Sequence, residues 1–179
     1  MMRGVVVFGL GVATALAAGW FAFPRALYFQ QRQPLEFRHK THVEKSGLVA
    51  CQECHTIGED GSFRGIPLTS ACAGCHAAPI GTSKAEAALV AGYLTPRRET
   101  PWLEHARQPA NVWFSHVIHT RRARLGCAEC HAGYGESDSQ PRYQRNRISG
   151  YSRTVMAMSV CEDCHRQRHV AAGCLGCHK

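Results

Sequence analysis

The ten cysteines of the chain fall into five copies of one pattern, two cysteines separated by two residues and followed at once by histidine. The copies are Cys51, Cys54 and His55; Cys72, Cys75 and His76; Cys127, Cys130 and His131; Cys161, Cys164 and His165; and Cys174, Cys177 and His178. No cysteine falls outside the pattern. Two thiols at this spacing add to the two vinyl groups of one haem, and the adjacent histidine turns beneath the ring to ligate its iron. Zinc ribbons and redox dithiols share the cysteine spacing, so the histidine is what discriminates. Histidine occupies 11 of 179 positions, and its chance appearance after all five pairs has a probability of about one in a million. The residues therefore predict five covalently attached haem c groups, with the cysteines as thioether anchors and the five histidines as proximal ligands. Such attachment takes place in an extracytoplasmic compartment.

Six histidines remain for the opposite faces of the irons: His39, His42, His105, His116, His119 and His169. Four of them lie in an internal repeat. Phe37-Arg38-His39-Lys40-Thr41-His42 precedes the first haem motif by eight residues, and Phe114-Ser115-His116-Val117-Ile118-His119 precedes the third by seven. Histidines three apart on a helical turn project from one side at different heights, so each pair is expected to ligate two neighbouring haems. The fifth distal ligand is a choice between His169, which lies between the last two motifs and is favoured for that reason, and His105, which follows Pro101-Trp102. Met156 and Met158 are expected to pack beside the macrocycles rather than to ligate them. Two histidines per iron imply low potentials, because it is methionine ligation that raises them.

These sites need few regular elements to hold them. With about 31 residues of chain per haem, the porphyrins must supply much of the apolar core. The expected fold is mostly α and irregular: an N-terminal transmembrane anchor with its juxtamembrane segment over residues 1–33, then a pentahaem domain over 34–179. Short helical turns should carry the motifs, with Ser70 and Ser159 as caps. Ser83-Lys84-Ala85-Glu86 is a capping box that opens a helix running through Ala91 and stopped by Gly92 and Pro96. No strand is expected, and Gly133 to Arg153 reads as a long polar surface loop, a candidate arm against a partner subunit.

The net charge of +8 would ordinarily suggest an acidic polymer as partner. Five haems, however, would bring about ten propionate charges against about five positive ones from oxidised iron, an internal counterion for most of the excess. Arg121, Arg122 and Arg124 are candidates to pair with propionates or to dock an acidic partner. No stretch interleaves basic residues with stacking aromatics, so nucleic acid is not an expected partner.

Between Arg3 and Arg25 there is no charge, and Gly4 to Phe23 is apolar or small throughout, ending at Pro24. As a helix this run spans about 30 Å, the thickness of a bilayer's hydrocarbon core. Ala15-Leu16-Ala17 has the look of a signal cleavage site, but the run exceeds an ordinary signal core, so a retained anchor is expected. Arg25, Arg32, Arg38 and Lys40 outnumber Arg3, which by charge counting favours the reverse orientation. Haem attachment decides instead for an N-terminus in the cytoplasm and a haem domain in the periplasm, at the inner membrane of a bacterium. Gly11, Ala15 and Gly19 fall four apart and line one face with small side chains, which suits the close approach of a partner helix.

The Phe-x-His-x-x-His element followed by Cys-x-x-Cys-His, over residues 36–55 and 113–131, resembles the class III cytochromes c. Together with the anchor, Pro101-Trp102, Ala106-Arg107-Gln108-Pro109 and Ile148-Ser149-Gly150-Tyr151-Ser152-Arg153, the whole chain is similar to the membrane-anchored multihaem subunits of menaquinone reductase complexes and of alternative complex III. That resemblance implies iron-sulfur and molybdopterin-like partner subunits, a polytopic quinone-binding subunit, and a soluble periplasmic cytochrome c, c3-like, as donor. It also implies an electron-transfer subunit with no substrate chemistry of its own. An anchored quinol dehydrogenase acting alone needs an open haem and a quinone site near Pro24 to Gln33. A reductase of nitrite or a similar oxyanion needs a vacant iron position, and no motif here replaces the ligating histidine with lysine. A free soluble carrier is disfavoured by the anchor.

Overall fold

The structure, a computed structural model, describes residues 2–48, 50–171 and 173–178. Its first element, α1, is a continuous helix over Met2–Leu27, with none of its apolar window buried. At 1.5 Å per residue it is about 39 Å long, enough by length and composition to cross a membrane. The expected stop at Pro24 does not hold. A π turn over Ala18–Ala22 directly precedes the proline, and the helix resumes over Phe23–Leu27. The wider turn accommodates the residue that has no N–H to donate and whose ring would meet the carbonyl four positions back.

The chain leaves α1 as strand β1 (Tyr28–Gln31), which pairs antiparallel with β2 (Tyr143–Asn146) in the register Tyr28 to Asn146 and Gln31 to Tyr143. No strand was expected, and β2 lies inside the stretch read as a surface loop. Neither strand alternates apolar and polar residues, so the pairing is held by contacts invisible in periodicity. Arg147 lies over the Phe29 ring and Arg153 over the Tyr28 ring. Arg147 also donates its backbone N–H to the Leu27 carbonyl at 2.8 Å and its Nε–H to the Ala26 carbonyl at 2.9 Å, satisfying two acceptors that α1 leaves open at its end. Gln33 then ties the outgoing chain to Leu103, donating to its carbonyl and accepting its N–H.

The rest is short turns. Helix α2 (His39–Lys45) carries the first histidine pair, and a helical turn running into the π turn Ile118–Arg122 carries the second. The haem motifs ride on 3-10 turns at Cys51–Glu53 and Cys127–Glu129 and on helices α3 (Thr69–His76), α5 (Met158–Gln167) and α6 (Cys174–Cys177). Between α3 and α5, helix α4 (Lys84–Leu89) is capped by Ser83 as expected and continues as a π turn to Leu94. Ser70 and Ser159 are not caps. The N-cap positions are Leu68 and Ala157, neither with a side-chain cap, and the two serines sit inside the first turns.

Among the described residues, Tyr143 is the one apolar side chain that is buried, and no large side chain is fully enclosed. The accessible surface is 13821 Å², whereas a compact monomer of this mass exposes about 8,600 Å². Part of the excess is the bare anchor. The remainder is a domain without an apolar core of its own, the form a chain takes when it folds around flat macrocycles.

Candidate haem-binding sites

The histidines face one another in pairs. The imidazole of His39 lies opposite that of His55 with centroids 6.4 Å apart, His42 opposite His76 at 6.2 Å, and His119 opposite His165 at 6.1 Å. With metal–imidazole bonds of about 2.0–2.1 Å and centroids about 1.1 Å behind the ligating nitrogens, two axial rings on one iron have centroids about 6.3 Å apart. All three pairs fit that spacing. Each of the three joins a repeat histidine to a motif histidine. His116, the remaining repeat histidine, is held below the ordinary histidine range by burial first and then by His131 and His119. Among the described residues no three His, Cys, Asp or Glu side chains converge as a metal cluster, and all ten cysteines are free thiols.

The ring orientations also fit axial ligation. Nδ1 is hydrogen-bonded to the Arg38 carbonyl in His42, the Gly65 carbonyl in His55, the Ser115 carbonyl in His119 and the Glu86 carboxylate in His76, at 2.7 to 3.0 Å. Fixing the proton on Nδ1 leaves Nε2 free to face the iron. Aromatic rings hold the repeat histidines in place. Phe37 stacks on His42 at 4.3 Å and meets His39 edge-on, and Phe114 does the same to His119 at 4.5 Å and to His116.

Thiols of different motifs act on one another electrostatically. Burial, and after it the adjacent Cys54, pushes the Cys72 thiol up, while burial and then Cys51 do so for Cys127. The same holds for Cys130 beside Cys164 and for Cys161 beside Cys177. Phe63 sits where the two repeats meet, stacked on His116 at 4.1 Å and facing His55 at 6.3 Å. Its loop comes close enough that Gly61, at φ +78°, would place a Cβ 3.3 Å from Val117.

The cytochrome c7 and related cytochrome c family matches this chain over residues 112–179. Over 98% of its length the chain is 39% identical to the menaquinone reductase multihaem cytochrome c subunit of Nitratidesulfovibrio vulgaris (strain Hildenborough), covering 90% of that protein. The chain belongs to this family of multihaem cytochrome c subunits. Membership implies covalently bound haem c, and the paired imidazoles and the five cysteine pairs, none of them joined in a disulfide, fit such groups.

Within this multihaem subunit, neither candidate for the fifth distal position stands opposite another imidazole among the described residues. His105 has Nε2 3.1 Å from the Gln33 amide nitrogen and Nδ1 3.4 Å from the Thr154 hydroxyl, and its ring meets Tyr143 edge-on. His169, at φ +54°, follows α5. His178 forms an isolated antiparallel bridge with Val112, beside which the Trp113 N–H donates to the Cys177 carbonyl at 2.7 Å. Sequence reasoning missed Phe63, whose loop has no repeat counterpart. It also read Glu86 only as a capping residue. The ten-residue separation of His76 from a buried-side carboxylate was the available signal.

Proposed function

We propose that this chain is a pentahaem electron relay in a membrane quinone oxidoreductase complex, with residues 1–33 as anchor and 34–179 as the haem domain. The five haems c supply one-electron redox chemistry when bound. Cys51, Cys54, Cys72, Cys75, Cys127, Cys130, Cys161, Cys164, Cys174 and Cys177 anchor them, and His55, His76, His131, His165 and His178 are the proximal ligands. His39, His42, His116 and His119 are the distal ligands of the first, second, third and fourth motifs. His169 is our choice for the fifth, because both nitrogens of His105 are engaged by Gln33 and Thr154. The observation that carries the reading is the set of imidazole pairs at 6.1 to 6.4 Å, a spacing at which two histidines would hold one iron between them and leave it no position for substrate.

The haem domain lies in the periplasm and α1 crosses the inner membrane with its N-terminus in the cytoplasm. Electrons arrive from a soluble c3-like cytochrome, pass along the series of sites, and leave through iron-sulfur, molybdopterin-like and polytopic partner subunits towards menaquinone. Each quinone takes two electrons and two protons, so two electrons cross the relay per turnover. A redox titration of the native complex followed by low-temperature EPR tests this. Five low-spin signals with low midpoints are expected. High-spin haem in the resting state, or a chain whose intact mass carries no added tetrapyrrole, rules it out, and haem reduction by quinol rather than by the donor cytochrome reverses its direction.

A further inference from the structure

We propose that Glu86 makes the haem site of Cys72, Cys75 and His76 the most reducing of the series, an inference that rests on the relay reading above. The Glu86 Oε1 accepts the His76 Nδ1–H at 2.7 Å and the Ile80 N–H at 2.8 Å, and Oε2 accepts the Gly81 N–H at 3.1 Å. The carboxylate is 10% exposed and the imidazole 19%. A glutamate carboxyl is ordinarily an anion at neutral pH, and here three N–H donors face its two oxygens.

A carboxylate that accepts the Nδ1 proton draws it away from the ring and makes Nε2 a stronger electron donor to the iron. A fixed negative charge in a partly desolvated site adds an effect of the same sign, since it stabilises the more positive oxidation state. Both lower the reduction potential. The other histidines whose Nδ1 partners are seen have neutral ones: the Arg38, Gly65 and Ser115 carbonyls for His42, His55 and His119. His165, the motif histidine in the same place in the second repeat, has a buried Nδ1 with no partner among the described residues. The carboxylate therefore sets the second motif apart from the first and the fourth.

The capping-box role does not account for the geometry. Ser83 accepts the Glu86 N–H at a long 3.5 Å, and the Glu86 carboxylate turns towards His76, Ile80 and Gly81.

The test is Glu86→Gln in the full chain within its native complex, titrated under low-temperature EPR. The lowest midpoint should rise while the others stay, with Glu86→Asp giving a smaller rise and haem content unchanged. An unmoved lowest midpoint overturns the inference, and so does a common shift of all signals, which marks loosened packing. If the variant does not assemble, His42→Ala identifies the second site by turning its signal high-spin, and the inference fails unless the signal lost is the most negative one. Loss of haem from the unaltered chain would defeat the relay reading itself, whereas intact haems with an unmoved lowest midpoint defeat this inference alone.

Discussion

The segment from Phe37 to His76 and the segment from Phe114 to His165 are two renderings of one design. In each, phenylalanine stacks on the second histidine of a pair and meets the first edge-on, with matching centroid distances of 4.3 and 4.9 Å in one and 4.5 and 4.8 Å in the other. In each, the next motif sits on a 3-10 turn and the one after on an α-helix. The His55 N–H reaches the Cys51 carbonyl at 2.8 Å and the His131 N–H reaches the Cys127 carbonyl at 2.9 Å. What differs is what surrounds the rings. The first unit gives His76 a carboxylate, the second leaves His165 Nδ1 bare, and the loop of the first reaches across to cover His116 of the second. Duplication fixes where the irons go, and the unrepeated residues between the motifs set how they differ.

Cutting the series where the two units meet should have the largest effect. His116→Ala removes the distal ligand proposed for the third motif, so one haem should become high-spin and, having lost an imidazole, rise in potential and trap electrons. Phe63 faces both His55 and His116, so the two units meet at these rings, and passage between units should slow by at least about tenfold, the factor given by each 1.4 kcal/mol of added barrier. His42→Ala, away from that junction, should also give one high-spin haem but leave passage between units intact. Rapid-mixing reduction followed at separate haem signals distinguishes the two. Equal slowing by both variants would mean that the sites are branched rather than linear.

A smaller effect tests the likeness of the units. Phe37→Ala and Phe114→Ala should each cost about 0.5–1.5 kcal/mol beyond the apolar area lost, by equal amounts. Each should broaden the EPR signals of the two haems whose histidines the ring touches. Phe63→Ala should broaden the third motif's signal most, because the Phe63 stack on His116 is the tighter of its two contacts. Thermal unfolding and EPR line shapes measure both, and unequal costs at Phe37 and Phe114 would show that the units carry different loads.

The sequence made the motifs, the histidine pairs and the anchor legible because each is a short-range pattern dictated by chemistry or by bilayer thickness. The repeat marked His39, His42, His116 and His119 as candidate ligands, but not which motif histidine each would face. The facing depends on how distant segments pack, as Phe63 does on His116, 53 residues away, which no local pattern encodes. The β1–β2 pair was missed for the same reason. Its strands are polar, and cation–π contacts and the open carbonyls of α1 hold it rather than an alternating apolar face. The caps at Ser70 and Ser159 failed because both helices have their N-caps two residues earlier, at Leu68 and Ala157, where no side chain accepts a first-turn N–H.

The smallest difference between the units separates Glu53 from Glu129, which occupy the same place in the first and third motifs. Glu129 accepts the Gly126 N–H at 2.9 Å and meets Arg168, beyond the fourth motif, at 2.7 Å. Glu53 has no hydrogen bond or ion pair among the described residues. The Arg168 pair is about half exposed, which limits it to about 0–1 kcal/mol and makes it salt-sensitive. Glu129→Gln should therefore lower the unfolding temperature slightly at low ionic strength and not at high, while Glu53→Gln changes nothing measurable at either. A salt-independent loss at Glu129 would assign its contribution to the Gly126 N–H, and with it to the start of the turn that carries the third motif.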